Sequence, residues 1–217
     1  VDRNEIVGYL VKGGIIAIVR ADSGGDDLVR VVEAVAEGGI YCIEVTMNTP
    51  GALLCIETAA ARLEGSPVLL GAGTVLDGES CRLAILAGAQ YIVSPATSPA
   101  VIRMAHRYGK AALPGAFTPN EIMYAWEEGG DLIKVFPATL GGLAYIKAVR
   151  APLPQIPLVP TGGVGLDNLA DFVQAGAVAF GIGGGLVPKR LIEERNFKGI
   201  TENARRFRKA LDAARGE

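Results

Sequence analysis

Short apolar runs rich in valine and isoleucine recur along the whole chain, and each is followed by a stretch in which apolar residues return at helical spacing. The runs predict strands at 15–20, 40–46, 68–74, 91–94, 111–113, 132–136, 158–161 and 178–182. Helices are predicted near 4–12, ahead of the first strand, then over 26–37, 51–63, 78–86, 99–107, 119–128, 143–149 and 166–175, with a last helix over 201–214. Glycine follows several of them, as helix ends prefer: Gly38-Gly39, Gly65, Gly88, Gly109, Gly129-Gly130 and Gly176. An Ala-Gly or Gly-Gly pair before a strand recurs, so one βα unit is used repeatedly, without a low-complexity linker.

Eight apolar strands alternating with helices, at roughly 27 residues per unit, fit a compact (β/α)8 TIM barrel with an extra N-terminal helix, one domain spanning 1–217. An open doubly wound sheet is the alternative. Against it, the first βα turn, Arg20-Ala21-Asp22-Ser23-Gly24-Gly25, is no GxGxxG fingerprint, and the sequence contains no Walker A motif.

Composition narrows the class. Half of the 217 residues are hydrophobic, 20% are charged and the mean hydropathy is +0.33, which supplies a large core and excludes a disordered chain. A net charge of −2 gives no electrostatic footprint for nucleic acid or an anionic membrane. There is no apolar run of membrane-spanning length and no secretory pattern at the start, so a cytoplasmic protein is expected. Cys42, Cys55 and Cys81 form no CxxC pair, which suits free buried thiols in a reducing compartment, and with one histidine a zinc site is not expected.

In a barrel the active site lies at the carboxyl ends of the strands, so ionisable residues late in apolar strands are the ones to inspect. Two stand out: Glu44 in Ile43-Glu44-Val45-Thr46 and Lys134 in Ile133-Lys134-Val135-Phe136. Side chains alternate along a strand, so Cys42, Glu44 and Thr46 share one face, as do Leu132, Lys134 and Phe136. If both faces point inward, Glu44 and Lys134 meet in the lumen. The competing reading, a pair that only fills the barrel, has to overcome a desolvation cost of several kcal/mol. Desolvation releases a lysine amine that attacks a ketone, and the resulting imine is an electron sink for cleavage of the adjacent C–C bond. A carboxylate opposite can shuttle the protons. The pairing describes an aldolase that needs neither metal nor cofactor.

Anion contacts are expected near it. The predicted seventh strand ends in Thr161-Gly162-Gly163 and the eighth in Gly181-Ile182-Gly183-Gly184-Gly185, where backbone N–H groups can approach a phosphate. Thr74 closes Gly71-Ala72-Gly73-Thr74 beside small residues that leave room for a carboxylate, and Arg20 closes the first strand with a cation. His106, Met123 and Trp126 fall on helices and are expected to pack in the outer layer.

Ile43-Glu44-Val45-Thr46, Gly71-Ala72-Gly73-Thr74-Val75-Leu76, Ile92-Val93-Ser94-Pro95, Pro114-Gly115, Thr118-Pro119-Asn120-Glu121, Lys134-Val135-Phe136-Pro137-Ala138 and Pro160-Thr161-Gly162-Gly163-Val164, in this order, resemble the class I 2-keto-3-deoxy-6-phosphogluconate (KDPG) and 4-hydroxy-2-oxoglutarate (KHG) aldolase family. The resemblance runs from Ile15 to about Pro188. It implies a (β/α)8 homotrimer that splits a phosphorylated 2-keto-3-deoxy sugar acid into pyruvate and glyceraldehyde 3-phosphate. It also implies Lys134 as the Schiff-base lysine, Glu44 as general acid/base, and Thr74 at the pyruvyl carboxylate. Gly162, Gly163, Gly183 and Gly184 would then surround the phosphate, with Phe136 as a further binding residue.

The chain departs from that pattern in ways that bear on the substrate. Met47-Asn48-Thr49-Pro50 stands where gluconate enzymes commonly carry an arginine, and Asn48 looks more like the galactonate-acting relatives; Arg20 is then available as the missing cation. Gly184 replaces the phosphate-loop serine. Thr161 resembles the gluconate enzymes, so the two signals conflict. Phosphogalactonate or 4-hydroxy-2-oxoglutarate cleavage, a metal-free sugar-phosphate isomerase or epimerase, and a non-catalytic sugar-phosphate-binding barrel are the alternatives.

Overall fold

The computed structural model describes residues 2–22 and 24–216; Val1, Ser23 in the first βα turn and Glu217 lie outside the described residues. Helix α1 (Arg3–Gly13) precedes β1 (Ile15–Val19), and the chain then alternates: α2 (Asp26–Glu37), β2 (Cys42–Thr46), α3 (Ala52–Arg62), β3 (Leu69–Gly73), α4 (Gly78–Leu86), β4 (Tyr91–Val93), α5 (Pro99–Arg107) and β5 (Ala111–Leu113). The second half holds β6 (Gly115–Ala116), α6 (Pro119–Glu127), β7 (Ile133–Val135), α7 (Ala138–Arg150), β8 (Leu158–Pro160), α8 (Leu169–Gln174), β9 (Phe180–Ile182), α9 (Lys189–Glu193) and α10 (Phe197–Arg215).

All strand pairs are parallel and form a curled half-barrel in two hydrogen-bonded sheets, β5-β4-β3-β2-β1-β9 and β6-β7-β8. A continuous eight-stranded ring, as the sequence predicts, is not what the ladders form. The fifth predicted strand, 111–113, forms as β5 and pairs with β4; beyond Pro114, which has no N–H to donate, the short and unpredicted β6 pairs with β7 instead. Between β8 and β9 the link is a single bridge, Thr161 to Gly181, and the Val178 N–H donating to the Leu158 carbonyl at 3.1 Å.

The alternation of side chains divides the core in two. Ile15, Ala17, Val19, Ile43, Val45 and Ala72 face the surrounding helices in one large cluster. Ile16, Cys42, Leu69, Tyr91, Val93, Leu113, Leu132 and Val159 face the interior, and Ile6 and Leu10 of α1 join them. Helix α1 therefore plugs the interior opposite the strands' carboxyl ends, with burial of Ile6 and Leu10 worth roughly 1.5–3 kcal/mol each. Its start is fixed by a capping box between Asp2 and Glu5.

Several of the recurrent motifs turn out to shape backbone. Thr118-Pro119-Asn120-Glu121 is the cap of α6: the Thr118 hydroxyl accepts from the Glu121 N–H, and the Glu121 carboxylate accepts from the N–H groups of Phe117 and Thr118, both at 2.8 Å. Pro114-Gly115 lies against Ser94-Pro95 so closely that a Cβ on Gly115 would stand 2.3 Å from the Pro95 carbonyl oxygen. His106 on α5 sits in the outer layer, its Nε2 3.0 Å from Asp131 Oδ2, while Met123 and Trp126 pack against the outer core. The three cysteines are unpaired and buried, and burial pushes each thiol up to about 12.

The structure also corrects element bounds. The predicted helix 143–149 is part of a longer α7, kinked at Gly142 (φ 58°, ψ −160°), and the predicted 201–214 helix begins at Phe197. Helix α9 was not expected from the periodicity, because five residues are too few to display it. Among the described residues no helix is long and apolar enough to cross a membrane.

Candidate active site

At the carboxyl ends of the strands lies a cavity of about 580 Å³. Its wall brings together every candidate site residue: Arg20, Glu44, Asn48, Thr74, Lys134, Phe136, Thr161, Gly162, Gly163, Gly183 and Gly184. Pro95, from the Ile92-Val93-Ser94-Pro95 motif, also lines it, as do Asp22 and Lys189, which the residue pattern did not single out. Lys189 forms an ion pair with Asp22 at the rim, with both groups largely in solvent.

Glu44 is 2% exposed and Lys134 6% exposed, so two ionisable groups stand in the interior beneath the open mouth of the cavity. Each is placed by strand alternation: Glu44 is the middle residue of β2, paired with Ile18 and Gly71, and Lys134 is the middle residue of β7, paired with Gly115 and Val159. The carboxylate of Glu44 lies over Gly73, where a Cβ would stand 1.6 Å from Oε1 and 2.1 Å from Cδ. No other residue at position 73 would leave that space empty. Lys134 Nζ stands 5.1 Å from the centroid of the Phe136 ring, within cation–π range, which orients the amine from the strand's own next inward residue.

Burial pushes the Glu44 carboxyl above the ordinary carboxylate range, while the positive charges of Lys134 and then Arg20 act in the opposite direction. A carboxyl held between these influences takes up and returns protons nearer neutrality than a solvated glutamate. That is the property a proton shuttle needs.

The pocket's other walls are built from backbone. Thr74 follows β3 with φ 57°, one of two described non-glycine residues in the left-handed region. A β-branched residue rarely adopts that conformation, and it is held here at the edge of the cavity. Thr46 and Thr49 are buried with their hydroxyls 2.9 Å apart, and Thr49 Oγ1 accepts from the Ala21 N–H, tying the loop that carries Asn48 to the one after Arg20. Gly162 (φ 87°) and Gly163 (φ 77°) turn the backbone after β8 as only glycine does readily. Thr161 is buried, its hydroxyl donates to the Val159 carbonyl at 3.3 Å, and it packs where a Cβ on Gly181 would collide with it. Among the described residues no group of three or more His, Cys, Asp or Glu is arranged to hold a metal ion.

The model of the KDPG and KHG aldolase family matches residues 6–203. The 2-dehydro-3-deoxy-phosphogluconate aldolase of Treponema pallidum (strain Nichols) is 41% identical over 177 residues, 81% of this chain and 83% of the relative. A solved structure described as native KDPGal superposes with a TM-score of 0.85 at 34% identity, covering 94% of this chain and 96% of that one. The KDPG aldolase of Legionella pneumophila, solved with pyruvate captured as a covalent carbinolamine, superposes with a TM-score of 0.84 at 27% identity, covering 92% and 96%.

Proposed function

Because the chain belongs to the KDPG and KHG aldolase family, we propose that it is a class I aldolase that cleaves 2-keto-3-deoxy-6-phosphogluconate to pyruvate and glyceraldehyde 3-phosphate. The observation that carries the reading is a buried lysine and a buried carboxyl of raised proton affinity in the wall of one cavity. The carbinolamine of pyruvate in the Legionella relative supports the covalent route.

Lys134 Nζ adds to the C2 carbonyl, and loss of water gives the imine. Glu44 then takes the proton of the C4 hydroxyl as the C3–C4 bond breaks, and the electron pair of that bond passes into the imine to leave an enamine. Glyceraldehyde 3-phosphate departs, C3 of the enamine takes a proton from Glu44, and water releases pyruvate and the free amine. Thr74 holds the carboxylate, with Arg20 as the nearby cation in place of the absent arginine at Asn48. The amides of Gly162, Gly163, Gly183 and Gly184 hold the phosphate, and Phe136 walls the lysine.

The two sheets act as one (β/α)8 barrel across the Pro114 break and the Thr161–Gly181 bridge, in a single domain over 1–217. The working form is a homotrimer in the cytoplasm, a setting compatible with three unpaired thiols. Of the two C4 epimers, Thr161 favours the gluconate type, with galactonate-type cleavage as side activity.

Pyruvate release from the phosphogluconate substrate, followed by a coupled reductase in the presence of EDTA, tests the assignment. Cleavage unaffected by EDTA is expected, because the imine replaces a metal as the electron sink. Isomerised or epimerised substrate without pyruvate would establish the isomerase reading, and binding without turnover the non-catalytic one.

A further inference from the structure

Among the described residues, one buried side-chain polar group has neither a hydrogen-bond partner nor a part in the reaction. Tyr91 is fully buried on β4, and among the described residues its hydroxyl is the one buried side-chain nitrogen or oxygen without a hydrogen-bond partner. Phenylalanine would fill the same space with no polar atom to satisfy, so the hydroxyl calls for an acceptor.

The strand register identifies it. Glu44, Gly71 and Tyr91 stand in one row across β2, β3 and β4. Gly71 has no side chain, and the ring of Tyr91 occupies the room: a Cβ there would stand 2.3 Å from both Cζ and Cε2 and 2.6 Å from Cε1. It is the far end of the ring that lies over Gly71, so the hydroxyl reaches beyond β3 toward β2. On the inner face of β2 the groups that act on it are Cys42 and Glu44. The Cys42 sulfur lies 3.9 Å from the Tyr9 carbonyl, to which its S–H is directed, and burial keeps the thiol neutral. Glu44 is the strong acceptor of the pair.

We propose that Tyr91 is a positioning residue for Glu44, its phenol O–H donating toward the carboxylate from beneath the pocket through one bridging water. The inference rests on the reading of Glu44 as the proton shuttle only for its catalytic consequence. Burial holds the phenol well above its ordinary range, so it stays a donor throughout the working pH range. The charges acting on Glu44 come from Lys134 on β7 and Arg20 after β1, and Tyr91 stands on its other side, two strands away on β4. A donated hydrogen bond stabilises the ionised carboxyl and lowers the pH at which it becomes a base.

Titration of the Glu44 carboxyl carbon by NMR in glutamate-labelled protein, its resonance assigned by loss in Glu44→Gln, tests this without reference to activity. Tyr91→Phe is expected to raise the midpoint by about one pH unit, a tenfold change in proton affinity. The acid limb of kcat/KM should move up with it while thermal stability is kept. Site-specific 3-fluorotyrosine at position 91, a better donor of nearly the same shape, should move the midpoint down, and Cys42→Ala should leave it in place. A Glu44 midpoint unmoved by both changes at position 91 overturns the proposal, as does one that moves only with Cys42→Ala. If the midpoint moves but no pyruvate is released, the tyrosine–glutamate pair stands and the aldolase reading falls.

Discussion

Gly73→Ala is the most local perturbation of the proton shuttle that the structure offers. The backbone of Gly73 is not in the left-handed region, so alanine can adopt it. Its methyl would, however, stand 1.6 Å from Glu44 Oε1 and 2.1 Å from Cδ. To regain ordinary contact near 3.4 Å the carboxylate has to retreat by roughly 1.8 Å, on a strand whose other inward residues, Cys42 and Thr46, are fully buried. A misplacement of about 1 Å in a catalytic group costs on the order of 10²-fold, so kcat should fall by at least about 10². Overpacking of one methyl typically costs about 1–3 kcal/mol, which in a chain of this size lowers Tm by roughly 2–12 °C and leaves the protein folded. Single-turnover kinetics separate the steps: pyruvate should still be trapped on the enzyme, whereas C–C cleavage should be slow. A folded Gly73→Ala enzyme with cleavage within about threefold of wild type would refute the placement of Glu44 over Gly73 as the working geometry.

Glu44→Gln should depress cleavage by about 10²–10⁴, the usual range for one general acid/base, while imine formation survives in part; stopped-flow pyruvate release measures the first and borohydride trapping the second. In the wild type, the raised proton affinity of Glu44 means that the base form is lost as pH falls through a midpoint above the ordinary carboxylate range. The acid limb of kcat/KM should therefore lie above that range and vanish in Glu44→Gln. Thr161→Val should narrow the preference between the two C4 epimers, read as the ratio of their kcat/KM values, because a buried hydroxyl able to pair with substrate discriminates strongly; a wild-type preference of tenfold or more for the galactonate epimer would make Asn48 the better guide.

Much of this was legible in the residue pattern for identifiable reasons. Helices α2, α4 and α5 begin and end where amphipathic spacing stops and glycine or proline intervenes, and the same alternation that turns Ile43 and Val45 outward turns Glu44 inward. What stayed hidden depends on contacts between distant segments. Nothing near Pro114 says that β5 and β6 change partners there, since the neighbour across the break is Pro95. The left-handed backbone of Thr74, the Asp22–Lys189 pair at the rim and the tyrosine lying over Gly71 likewise arise only when strands far apart in sequence are brought side by side.

The most direct test of the central claim is borohydride reduction in the presence of pyruvate, followed by intact-mass and peptide analysis. One pyruvyl group per chain, attached to Lys134, is the predicted result. Lys134 is the buried lysine in the cavity wall, whereas Lys110 and Lys147 lie outside it. Labelling at Lys110 or Lys147, or no covalent adduct in a folded protein, would contradict the account.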